Sequence, residues 1–229
     1  MKIESNDKSA KSRLIKLLNF ALIGIYIIFI FLISKIFKNF YPNNQELLRK
    51  IIHIGMGPLI PIAKFLEIDQ STAQYFAGGM SILIVINYIY KLFPIIEDID
   101  RKSFGTFFYC FSLLILISLF WEKDPLALTA GFFIMTFGDG LAGLIGKNFK
   151  SRSWIIFDQK KSIIGTFTMF LVSLLVISIL GYEITADFNY YYFLIALLAT
   201  LLEQISIIGI DNFSVPIITS TIFNLLITN

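Results

Sequence analysis

Long apolar runs recur along this chain, and short stretches holding most of its charge separate them. Each run is about 17–25 residues, the length a helix needs to cross hydrocarbon. Read in order, the runs predict spans at about 14–36, 47–66, 72–90, 104–120, 125–146, 163–181, 189–209 and 213–227. The expectation is an all-α fold, a polytopic transmembrane helical bundle of about seven to eight spans. One integral-membrane domain covers 14–229, and a basic polar tail covers 1–13. The first span has the charge order of a signal peptide, but its apolar core is too long and no small-residue cleavage site follows. It reads as an anchor. Tyr190, Tyr191 and Tyr192 fall where an interfacial aromatic belt belongs.

Composition agrees. The 229 residues are 56% hydrophobic and 15% charged, with a mean hydropathy of +0.77, which excludes a water-soluble core and shell. The single Cys110 excludes an internal disulfide, and no Cys/His cluster resembles a zinc site. A net charge of +3 is too small to argue for a nucleic-acid partner. Charge placement says more. With eight spans, the loops after the first, third, fifth and seventh share one face and carry 12 of the 19 lysines and arginines. The positive-inside rule then puts these odd loops in the cytoplasm, or on a stroma-like side. The basic tail falls on the opposite face, against that rule.

The candidate chemistry collects on the odd-loop face. Asp139 stands between Gly138 and Gly140 near the end of the fifth span, and an ionisable residue at membrane depth marks a functional site by default. Gly143 and Gly146 clear the same helix face; Gly138, Ala142 and Gly146 also form a small-residue packing row, which explains the glycines but not the acid. The stretch is not a Walker A loop: its glycine spacing is wrong and Asn148 stands where Ser or Thr belongs. Lys147 follows it. Lys160, Lys161 and Ser162 open the sixth span, where free backbone N–H groups suit phosphate and Gly165 and Thr166 follow; interfacial snorkelling is the bland alternative. Arg49, Lys50 and His53 repeat the pattern before the second span, as do Arg101 and Lys102 before the fourth. Glu203 and Asp211 lie eight residues apart, roughly 12 Å along a helix axis. Asn212 reads more simply as a helix cap, and Asn87 as packing. Acids for Mg²⁺, cations for phosphates and an apolar bundle are the parts of a phosphoryl transferase acting on a lipid alcohol.

Five pieces, RKIIHIGMG (49–57), DRKSFGTFFY (100–109), GDGLAGLIGK (138–147), KKSIIGTFTMF (160–170) and EQISIIGIDNFSVPI (203–217), resemble the phytol kinase and dolichol kinase family of CTP-dependent polyprenol kinases. They touch most of the chain after residue 46. The loop after Lys147, NFKSRSWIIF, departs from the family in lacking a further glycine. The resemblance implies transfer of the CTP γ-phosphate to an isoprenoid alcohol in the membrane, phytol before farnesol, geranylgeraniol or dolichol. On this reading Asp139, with Asp211 and Glu203, serves Mg²⁺. Arg49, Lys50, Lys147, Lys160 and Lys161 hold the triphosphate, supported by Arg101, Lys102, Ser162, Thr166 and glycines 140, 143, 146 and 165. His53 or an acid orients or deprotonates the alcohol. Lys150 lies outside the matched pieces and is expected to be solvated. Two other readings stay open: a lipid cytidylyltransferase releasing pyrophosphate, and a transporter using Asp139 and Glu203 as an ion site.

Overall fold

The structure, a computed structural model, describes residues 2–90, 104–157 and 159–228, with residues 2–13 as backbone alone. Arg101 and Lys102 lie outside the described residues. Helix α1 (Lys2–Phe40) is one long rod that continues back through the basic tail. The fold is all-α apart from one short hairpin, and apolar side chains such as Leu17, Ile25, Ile82 and Leu175 stand more than half exposed along α1, α4 (Gln70–Tyr90) and α8 (Ile163–Thr185). Such faces belong against lipid: this is a membrane protein. Among the described residues four stretches, Leu14–Phe40, Gln70–Tyr90, Pro125–Asn148 and Ile163–Thr185, are long and apolar enough to cross a bilayer; α5 (Gly105–Phe120) and α9 (Tyr190–Gln204) are apolar but shorter.

The second expected span is two helices, α2 (Gln45–Gly55) and α3 (Leu59–Phe65). The Gly57-Pro58 step breaks it, because proline donates no N–H and disfavours helix in the residue before it. Gly57 is needed at this break, since a Cβ there would stand 2.6 Å from Phe137. The fifth span is continuous but not uniform: α6 (Pro125–Phe133) passes through a π-helical turn (Ile134–Asp139) into α7 (Gly140–Asn148). Asp124 caps it, accepting from the Ala127 N–H at 2.9 Å, and Pro125 occupies the first helical turn, where its missing N–H is harmless.

This span is the axis of the bundle: 56% of its most apolar window is buried, against 17–28% for the other three. It packs on α8 and on α10 (Asp211–Phe223), which runs into a second π-helical turn (Asn224–Thr228). Gly131 lets α10 approach, since a Cβ there would lie 2.3 Å from the Pro216 carbonyl oxygen. The sixth span begins at Ile163, as expected, but the two lysines before it do not open its helix. Lys160 and Lys161 sit instead on β2 (Gln159–Ser162), which pairs antiparallel with β1 (Ser153–Ile156), and Ser162 caps α8 by accepting from the Gly165 N–H.

Candidate active site

Where α2, α5, α7, the hairpin, α9 and α10 converge, a cavity of about 760 Å³ opens. Its polar end is lined by six cations (Arg49, Lys50, Lys147, Lys150, Lys160, Lys161) and four acids (Glu46, Asp139, Glu203, Asp211), so its balance favours an anion. Its other end is walled by Ile27, Phe31, Met56, Leu59, Phe76, Met80 and Leu113. His53 and Tyr109 also line it, their rings 4.7 Å apart.

The deepest contacts form a repeated unit. The Lys50 ammonium donates to the Asp139 carboxylate at 2.6 Å and to the carbonyl oxygen of the same residue at 3.2 Å. Lys161 does the same with Glu203, donating to its carboxylate and, at 2.8 Å, to its carbonyl oxygen. An ammonium has three donors, so each lysine is aimed by two and keeps one. Both pairs are buried. Gly143 makes the first possible: a Cβ there would meet Lys50 Cε at 2.8 Å. The π-helical turn contributes too, since a π turn breaks the usual carbonyl pairing and such turns recur at functional sites. Its Met135 carbonyl oxygen lies 3.0 Å from His53 Nε2, which is also 3.5 Å from the Asp139 carboxylate. A carbonyl only accepts, so Nε2 carries the proton and Nδ1 is the ring's acceptor.

Arg49 is held by Glu46 at 2.8 Å, while its buried Nε has no hydrogen-bond partner among the described residues. Burial alone raises the Glu46 carboxyl, but the Arg49 charge and hydrogen bond, with Lys50 behind them, bring it below its ordinary value. Asp211 accepts from the Asn212 N–H at 3.1 Å, and the Asn212 side chain donates to the Gly105 carbonyl at 3.0 Å, tying α10 to the start of α5.

Of the residues singled out in the sequence, Arg49, Lys50, His53, Asp139, Gly143, Gly146, Lys147, Lys160, Lys161, Ser162, Gly165, Glu203 and Asp211 all line this one cavity. Gly140 does not; it packs on Ile54, where a Cβ would stand at 2.4 Å. Thr166 bridges Ser162 and Gln204 beside the cavity. Gly146 and Gly165 line it but also pack α7 on α8, since a Cβ on Gly146 would lie 3.0 Å from Gly165 Cα. Asp139, Glu203 and Asp211 do not gather into a three-residue metal-binding group; among the described residues no such group occurs. Lys150, expected in solvent, is exposed but lines the mouth. Glu46, Tyr109 and Lys150 were missed; the Glu46–Arg49 spacing of three along one helix face was the available signal.

The chain was compared with known proteins. No protein-family model and no solved structure matches it. It is 34% identical over 183 residues to a phytol kinase of Synechocystis sp., covering 76% of this chain and 77% of that protein. A probable chloroplastic phytol kinase of Triticum aestivum is 29% identical over 209 residues, 81% of this chain and 69% of its own. One of Zea mays is 27% identical over 209 residues, 81% and 68%. At 34% identity over most of both chains, the match to the Synechocystis protein shows that the chain belongs to the phytol kinase family.

Proposed function

We propose that this kinase transfers the γ-phosphoryl group of CTP to a membrane isoprenoid alcohol, phytol before farnesol, geranylgeraniol or dolichol. The observation that carries this is the two-ended cavity, cationic at one end and apolar at the other, with His53 and the Lys50–Asp139 pair between them. The choice of CTP rests on the family resemblance. The reading puts the cavity mouth on the cytoplasmic side, as the positive-inside rule favours.

Lys50 and Lys161, each aimed by two acceptors, give their third N–H to phosphate oxygens, and the unpartnered Arg49 Nε–H gives another. Donors fixed beforehand stabilise charge developing in transfer without reorganising. Mg²⁺ fits the donor set in one way. It is usually held by one or two carboxylates together with substrate phosphates, not by an all-protein cage. Asp139 and Asp211 both line the cavity and would meet that need, Asp139 sharing its carboxylate with Lys50 as Glu203 shares its own with Lys161. Held by these carboxylates, Mg²⁺ would supply neutralisation of the phosphate charge. His53 orients the alcohol and accepts its proton at Nδ1 as the oxygen–phosphorus bond forms; the bond to the bridging oxygen breaks and CDP leaves.

Purified protein is incubated with CTP labelled on the γ-phosphate and a panel of phytol, geranylgeraniol, farnesol, dolichol and diacylglycerol. Label on a prenyl alcohol with release of CDP is expected. Pyrophosphate release with CMP on the lipid means a cytidylyltransferase, and no nucleotide dependence returns the transporter reading.

A further inference from the structure

The active-site cavity does not end at its apolar wall. At Leu59, Phe76, Ala77 and Leu113 it meets a second, apolar cavity of about 100 Å³, and these four residues line both. The two are in line. From the first cavity to the second, α1 passes from Ile27 to Gly24, α4 from Ala77 to Ala73, and α5 from Leu113 to Ile117 and Trp121. From Thr106 at the polar end to Ile117, α5 covers roughly 16 Å at about 1.5 Å per residue. One wall of the far end is fixed: Trp121 is 1% exposed, its indole N–H donates to the Ile68 carbonyl at 3.2 Å, and Lys64 lies over its ring at 4.9 Å. Small residues, Gly24, Ala63 and Ala73, keep the chamber open.

We propose that this chamber receives the last isoprene unit of the substrate tail, and that Leu59, Phe76, Ala77 and Leu113 form a neck that sets the longest tail accepted. The proposal rests on the prenyl-alcohol reading and adds to it a length-selecting compartment. An apolar tail whose hydroxyl lies at His53 runs toward the neck because the polar end is taken by charge. Each methylene it buries beyond the neck adds binding that a shorter alcohol lacks.

Two measurements test this. Gly24→Phe fills the chamber from the peripheral helix, where an added Cβ meets nothing within 4 Å, and replacing a helical glycine does not weaken the helix. It is assayed beside Ala77→Leu with farnesol and with geranylgeraniol, one isoprene unit longer. The geranylgeraniol-to-farnesol ratio of kcat/KM should fall about tenfold or more, the size of discrimination an apolar pocket supplies. An unchanged ratio overturns the proposal. The second measurement needs no turnover. The chain has two tryptophans, so Trp154→Phe leaves Trp121 as the reporter. Geranylgeraniol brominated at its tail end should quench Trp121, and Gly24→Phe should abolish the quenching. Turnover without quenching removes the chamber and leaves the kinase standing. Quenching in a protein inert toward every alcohol keeps the chamber and removes the kinase.

Discussion

Lys50→Met removes the ammonium that meets the Asp139 carboxylate at 2.6 Å, where the two side chains are only 7% and 12% exposed. Breaking a buried pair from one side strands the other charge and costs roughly 3–5 kcal/mol. Asp139→Asn is gentler, because the amide oxygen still accepts from Lys50; a loss of about 1–3 kcal/mol is expected from weakening a buried charged hydrogen bond. The double variant Lys50→Met/Asp139→Asn strands nothing, so it should be more stable than Lys50→Met alone. Activity should follow a different pattern. If the pair positions charge against the transferring phosphate, both singles and the double should lose about a hundredfold or more in rate. Thermal unfolding in detergent and γ-phosphoryl transfer, measured on all four proteins, separate the two effects. Lys123→Gln, at an exposed site outside the cavity, is the control and should change neither. A double variant that regains activity along with stability would make the pair a structural device. An Asp139→Asn protein keeping more than about a tenth of wild-type rate, far above the expected loss, would remove Asp139 from the chemistry.

Two glycines on α7 should fail differently. Gly143→Ala presses on the flexible end of Lys50 at 2.8 Å and should lower kcat with little change in unfolding temperature, whereas Gly146→Ala presses on the Gly165 backbone and should cost about 1–3 kcal/mol of stability. His53→Gln should lower kcat about a hundredfold or more, the usual contribution of a general base; a pure KM effect would reduce His53 to substrate binding. Ser153→Cys on the hairpin should react with a membrane-impermeant thiol reagent only from the cytoplasmic side, and labelling from outside would invert the topology. Raising salt should raise the nucleotide KM through the exposed Lys147, Lys150 and Lys160 while leaving kcat nearly unchanged, and Lys150→Gln should flatten that dependence; a salt-insensitive KM would count against an anion-steering mouth.

Much of this site was readable because membrane helices confine polar residues to few places. Arg49, Lys50 and His53 share a helix face by spacing, and Asp139 stands out in an apolar run, so their convergence on one end of the bundle followed from topology alone. What the spacing could not show was pairing. Periodicity says which face a side chain takes, not which helix meets it, so Lys50 with Asp139 and Lys161 with Glu203 emerge only when α2 meets the π-helical turn before α7 and β2 reaches α9. The hairpin was hidden for a local reason. A two-residue connection favours Asn-Gly or Asp-Gly, because its residues take positive φ. Here it begins at Phe157, at φ 47°, a residue type that gives no such signal. The π-helical turn likewise has no sequence mark, since its extra residue is retained by what packs on it: His53 on the Met135 carbonyl and Gly57 against Phe137.

Depth sorts the charges by role. Lys147, Lys150 and Lys160 are exposed at the mouth, where solvent lets each stand ionised at little cost and act at a distance. Lys50 and Lys161 are buried, and a buried ammonium without a partner is costly, so each is matched by an acid that neutralises it. The same acids add direction, because carboxylate and backbone carbonyl of one residue together leave the ammonium a single remaining donor to offer. A phosphate arriving at that donor meets a group already desolvated and already aimed. The acids are therefore needed whether or not they touch a metal, and Glu203 has a place in the cavity through Lys161 alone.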